Sequence, residues 1–196
     1  MKKTIIIVVM SLVTMTLGAQ NSSDILNAIK NVASSVISVP ADLSGTWTYQ
    51  GVGAAVKSDN MLTAAAGNAA ISTVESKMDK ALSRIGLKKG SATLTFSQDG
   101  SFALKFGKVN LPGTWTQNGS AVTIKFGKVF SYLQLDGTVT ATTDGCKVLF
   151  NGEKFLEFTK KLAEYASKIS SNSTVKSINS LLSTAKSVDV GFKLSR

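Results

Sequence analysis

Between residues 91 and 151 the chain repeatedly places an acidic or amide residue before a glycine, at Asp99-Gly100, Asn118-Gly119, Asp136-Gly137 and Asp144-Gly145. Such pairs favour the tight primed turn of a β-hairpin, which needs φ > 0. The segments between them alternate with a period of two. Ala92, Leu94 and Phe96 share one face of SATLTFS, and Phe102, Leu104 and Phe106 share one face of SFALKFG. GTWTQ (113–117) and AVTIKFG (121–127) flank Asn118-Gly119, while GTVTATT and CKVLFN flank Asp144-Gly145. Half-buried strands joined by short turns predict an antiparallel meander.

The same period appears in LSGTWTYQ (43–50), where Leu43, Trp47 and Tyr49 share one face. It returns at the end of the chain, with Val188, Val190, Phe192 and Leu194 inward. Two regions change to helical spacing. Met61, Ala64, Ile71, Val74, Met78, Leu82 and Ile85 predict a helix over 59–85, started near Ser58 or Asp59 and ended by Gly86. Phe155, Phe158, Leu162, Tyr165 and Ile169 form the apolar stripe of a helix after Gly152, and 174–186 carries a second one.

Eight strands result: 43–50, 91–98, 101–108, 112–117, 120–127, 130–143 with a break point at Asp136, 145–151 and 187–195. A flat sheet with one apolar face would leave that face and two edges exposed. Closure into an up-and-down barrel removes both problems, and a two-sheet sandwich is the alternative. LSGTWTYQG and LPGTWTQNG resemble one another, and KFGKV occurs twice. Similar strands in similar barrel positions account for this echo without a duplicated domain.

The first nineteen residues read as a secretory leader. Lys2 and Lys3 precede an apolar run from Ile5 to Val13, and small residues lead to a cleavage site between Ala19 and Gln20. A lipid anchor would need Cys at position 20. The expected organisation is a leader at 1–19, an amphipathic helix and linker at 20–39, and a barrel domain at 40–196. The expected location is periplasmic or extracellular, without a lipoprotein anchor.

Gly45-Thr46-Trp47 resembles the G-x-W signature on the first strand of lipocalins and fatty-acid-binding proteins. With GTWTYQGVGAAVKSDNML, GLKKGSATLTFSQDGSFALKF and the second GTW, residues 40–196 resemble a family of secreted lipocalin-like proteins from Bacteroidetes. That resemblance implies a mainly β, eight-stranded lipocalin-like barrel with added helices, and export. It carries no assigned activity. In lipocalins the tryptophan packs at the closed end, often under an arginine from beyond the last strand. By resemblance Trp47 takes that place, and Lys193 or Arg196 would supply the cation. The paired disulfide of secreted lipocalins is absent.

The chain has no histidine, which removes the commonest catalytic base near neutral pH and imidazole metal ligation. The acids fall in turns and on helices, and the inward strand positions carry none, so no carboxylate pair is set for hydrolysis. No phosphate-binding loop or calcium loop is present. Cys146, the single cysteine, is expected to be a small buried hydrophobe. No catalytic residue, cofactor or metal is therefore expected. The 22 basic residues exceed the 12 acidic ones. They are spread along the chain rather than blocked with aromatics, which argues against nucleic acid and leaves a solvated basic surface or contact with an anionic envelope surface. Asn21, Asn118 and Asn172 fit the glycosylation pattern, a match expected to be coincidence in a bacterial exported protein.

The expected function is binding of a small apolar or amphipathic ligand inside the barrel. Its lining would be Trp47, Tyr49, Leu94, Phe96, Phe102, Leu104, Phe106, Trp115, Ile124, Phe126 and Phe150. The alternative is a non-catalytic envelope interaction or scaffold protein with a solid barrel. Inhibition of an exported hydrolase through loops is a third reading.

Overall fold

The odd-even alternation of the sequence becomes a closed barrel in which every strand is antiparallel to its neighbours. The computed structural model describes residues 39–56, 64–169 and 188–196, with the side chains of 64–70 and 169 excepted. The expected leader with its Ala19–Gln20 cleavage site, the helix at 20–38 and the helix at 174–186 lie outside the described residues. The strands are β1 (Gly45–Val56), β2 (Ala92–Phe96), β3 (Ser101–Phe106), β4 (Val109–Asn118), β5 (Ala121–Phe126), β6 (Gln134–Thr142), β7 (Gly145–Asn151) and β8 (Val188–Ser195). Two helices, α1 (Ala64–Arg84) and α2 (Gly152–Ile169), follow β1 and β7. Both therefore start from the end at which the odd-numbered strands finish, here termed the mouth.

Register pairs apolar residues across the inner face. Leu94 lies opposite Leu104, Phe96 opposite Phe102, Trp115 opposite Ile124, Val139 opposite Val148 and Cys146 opposite Leu194. Such cross-strand contacts fix register, because a one-residue slip would send every inward side chain outward.

Several strand boundaries differ from those expected, with β4 starting at Val109 rather than 112, and three departures shape the barrel. β1 does not end at Gln50 but runs to Val56. Its register shifts between Tyr49 and Gly51, where Gly51 has φ 125. This bulge moves the inward set from Trp47 and Tyr49 to Val52 and Ala54, so a strict two-residue pattern breaks there. Asp136-Gly137 is not a turn. β6 passes through it unbroken, and the Asp136 carboxylate accepts from Thr123 Oγ1 at 2.8 Å. Glycine is required because a Cβ at 137 would collide with the Leu149 carbonyl and lie 2.6 Å from the Phe150 ring. The chain does not enter β6 at 130. A 3₁₀ turn at Lys128–Phe130 and two left-handed residues, Ser131 and Tyr132, connect β5 to β6.

The helix ends follow local chemistry. The Gly86 amide donates to the Ser83 carbonyl and the Leu87 amide to the Leu82 carbonyl, a Schellman closure of α1 with Gly86 at φ 99. Asn151 caps α2, its Oδ1 accepting the amides of Glu153 and Lys154 at 3.0 and 3.3 Å.

Candidate functional site

The eleven residues expected to line a ligand site are all buried within one apolar cluster. Their rings pack on one another. Trp115 meets Phe96 at 5.1 Å between centroids, Phe96 meets Phe102 at 5.1 Å, and Phe102 meets Phe126 at 5.7 Å. From Phe126 the series continues to Phe158 at 5.1 Å, Phe192 at 6.1 Å and Tyr49 at 5.9 Å. These are contact distances for aromatic pairs. α2 thus places Phe158 among the inward strand residues, and Phe155 beside it meets Phe192 at 5.1 Å and Phe150 at 6.2 Å. Strand alternation could not assign these two residues to the barrel interior. Their signal was the helical stripe, which shows a buried face but not the surface it meets.

The polar tips of the interior aromatics are already engaged. Trp47 Nε1 donates to the Leu43 carbonyl, Trp115 Nε1 to the Ser97 carbonyl and the Tyr49 hydroxyl to Asp79 Oδ1, each at 2.8 Å. Among the described residues no buried side-chain nitrogen or oxygen lacks a partner. Ligand sites ordinarily combine an apolar wall with a few polar groups that fix orientation, and here those groups are spent on the protein itself.

At the closed end, residues 39–44 cross the barrel. The Val39 carbonyl accepts from the Ala141 amide, and Gln117 accepts from the Leu43 amide while donating to the Ala41 carbonyl. The cation over Trp47 is Arg196, with Cζ 4.5 Å from the ring centroid. Its guanidinium also donates to the Ser44 carbonyl at 2.8 Å. Lys193 instead pairs with Glu75 at 2.7 Å. Sequence spacing offered both cations, and β8 decides between them because its outward residue 193 faces α1. A polar groove of about 670 Å³, which includes Asp42, Ser44, Gln98 and Thr116, runs beside the crossing segment.

β2 pairs with β1 only over Gly45–Thr48, so the remaining β1 edge has no strand partner on that side. α1 covers it. Asp79 Oδ1 accepts the Val52 amide at 2.8 Å, and Glu75 Oε1 accepts the Ala54 amide at 3.0 Å. One helical turn separates the two acids, and two residues separate the two amides, so a helix face matches a strand edge. Burial, reinforced by the Asp79 charge, pushes the Tyr49 hydroxyl above the usual tyrosine range. Burial pushes the Cys146 thiol up to about 11, which keeps it protonated and poorly nucleophilic at neutral pH.

In comparison with known proteins, the lipocalin-like domain family (DUF4923) matches residues 17–196. No curated protein and no solved structure matches significantly.

Proposed function

The chain belongs to the lipocalin-like domain family DUF4923, and from that premise we propose that it is an exported, non-catalytic binding protein with a filled barrel and its contacts on the outside. The observation that carries this reading is the unbroken series of rings from Trp115 through Phe158 to Tyr49. A ligand inside the barrel would have to expel Phe155 and Phe158, which α2 holds among the inward side chains. The lack of histidine and the protonated Cys146 support a non-catalytic role. The leader-like residues 1–19 support export to the periplasm or beyond, and the excess of basic residues supports an anionic envelope partner. No described helix is long and apolar enough to cross a membrane.

A second reading has its own observation. An apolar crevice of about 300 Å³ at the mouth, between Ile85, Phe106, Val109 and Ala166, would seat the tail of an amphipathic ligand without opening the barrel.

Organic extraction of protein taken from its native compartment, followed by mass spectrometry and titration with an apolar fluorescent probe, tests the filled barrel. The expected result is no stoichiometric apolar molecule and no saturable probe uptake. An apolar species near one per chain that persists when Ala166→Phe fills the mouth crevice would overturn it, whereas one lost in that variant would support the second reading.

A further inference from the structure

β7 and β8 bring Lys147 directly opposite Lys193. Both alternate with inward residues and so belong to the outer wall of the barrel. Like charges facing each other across a strand pair weaken it. Lys193 is neutralised by Glu75, whereas Lys147 has no ion pair among the described residues. Lys89 approaches from the loop after α1, which is tied to β1 where the Gly90 amide donates to the Tyr49 carbonyl at 2.8 Å. The three lysines line a cleft of about 470 Å³ over β8. Around them stand hydrogen-bonding groups: Gln50, Thr142 and Ser195, with Gln50 Nε2 donating to Ser195 Oγ at 2.8 Å. Asp144 is the acid of the lining.

We propose that this cleft binds a phosphorylated saccharide. The proposal rests on the reading that contacts are made on the outside of the barrel, and it names their chemistry. A phosphomonoester carries about 1.5 to 2 negative charges near neutral pH, which matches Lys89 and Lys147, the two lysines of the cleft that hold no ion pair among the described residues. The phosphate gives Lys147 the counter-charge that Glu75 already gives its neighbour Lys193. A bare phosphate would leave most of the cleft empty. The amide of Gln50, the hydroxyls of Thr142 and Ser195 and the carboxylate of Asp144 supply the mixed donors and acceptors that sugar hydroxyls require.

Titration calorimetry of the full chain at low salt tests this with glucose 6-phosphate, glucose and inorganic phosphate. Glucose 6-phosphate is expected to bind, with affinity falling at least tenfold in the Lys89→Gln/Lys147→Thr variant and unchanged in Lys125→Thr, a lysine of β5. The unliganded double variant should melt no lower than the parent, because neither lysine holds an ion pair among the described residues. No binding of glucose 6-phosphate, equal binding of glucose or inorganic phosphate, or an undiminished affinity in the double variant would overturn the proposal. Flotation with phosphatidylcholine vesicles, with and without a phosphorylated glycolipid, separates the sources. Capture only by the phosphorylated vesicles identifies a lipid headgroup, and binding of the soluble sugar alone identifies a free sugar phosphate. Either outcome supports the cleft provided that glucose 6-phosphate binds in the titration and the double variant loses the capture. The filled-barrel reading fails on probe uptake, which these titrations do not measure, so the two readings fail separately.

Discussion

The carboxylate of Asp79 accepts both the Val52 amide and the Tyr49 hydroxyl at 2.8 Å, and so joins α1 to the two sides of the β1 bulge. Replacing Asp79 with alanine strands a backbone donor and a buried hydroxyl together. The expected loss is about 3 kcal/mol, against about 1 kcal/mol for Tyr49→Phe, which removes a single hydrogen bond and leaves the Val52 amide paired. Urea denaturation of the two variants and their combination checks this. Equal losses would mean that the Val52 amide finds another partner.

Alkaline solution should destabilise the fold in two steps. Cys146 ordinarily titrates near 9.0 and is raised to about 11, and Tyr49 is raised from its ordinary 10.0. In both cases the unfolded chain releases its proton first, so it binds fewer protons than the native state. Stability is complete below about pH 9 and falls as pH rises beyond that. Cys146→Ala should flatten the first step and Tyr49→Phe the second. The measurement is the unfolding free energy between pH 8 and pH 11.

Arg196 closes one end of the barrel through the Trp47 ring and the Ser44 carbonyl. Arg196→Ala should cost about 1–2 kcal/mol, and Arg196→Lys should restore only part of it, because an ammonium cannot both lie flat on the ring and keep the same fork of donors. Denaturant midpoints give the ranking. Intrinsic fluorescence should shift in Arg196→Ala as Trp47 loses its cation.

Two glycines with similar sequence surroundings should respond differently to alanine. Gly119 sits in a turn at φ 58 with open space around it, so the expected cost is about 1 kcal/mol, from backbone conformation alone. Gly137 has no positive φ, but its missing Cβ makes room for the Leu149 carbonyl and the Phe150 ring. Overpacking there should cost about 3 kcal/mol. Thermal melts of both variants decide it.

That contrast also marks where sequence reading stops. Asp99-Gly100 and Asn118-Gly119 act locally, and their turns were legible because the chemistry lies within four residues. Asp136-Gly137 looks the same in sequence, yet its glycine answers to Phe150 on the adjacent strand. The strands β2 to β5 were legible because their alternation is clean. The second half of β1 was not, because the bulge at Gly51 reverses parity in a run of small residues. The stripe of Phe155 and Phe158 was visible, but its destination among Phe126, Phe150 and Phe192 depends on how the helix returns. The charge cleft needed register. Lys147 and Lys193 lie far apart in sequence, and only the pairing of β7 with β8 makes them neighbours.

The two seams of β8 have a consequence for the order of events. Of the eight strands β8 is made last, and it pairs with both the first strand and the seventh. Until it is in place the other strands can form only an open sheet, with two free edges and an inner face rich in phenylalanine. Hairpins from β2 to β7 can assemble early from contacts close in sequence, whereas closure waits for a contact spanning nearly the whole domain. The interval before β8 docks is the time at which this chain is most exposed to aggregation.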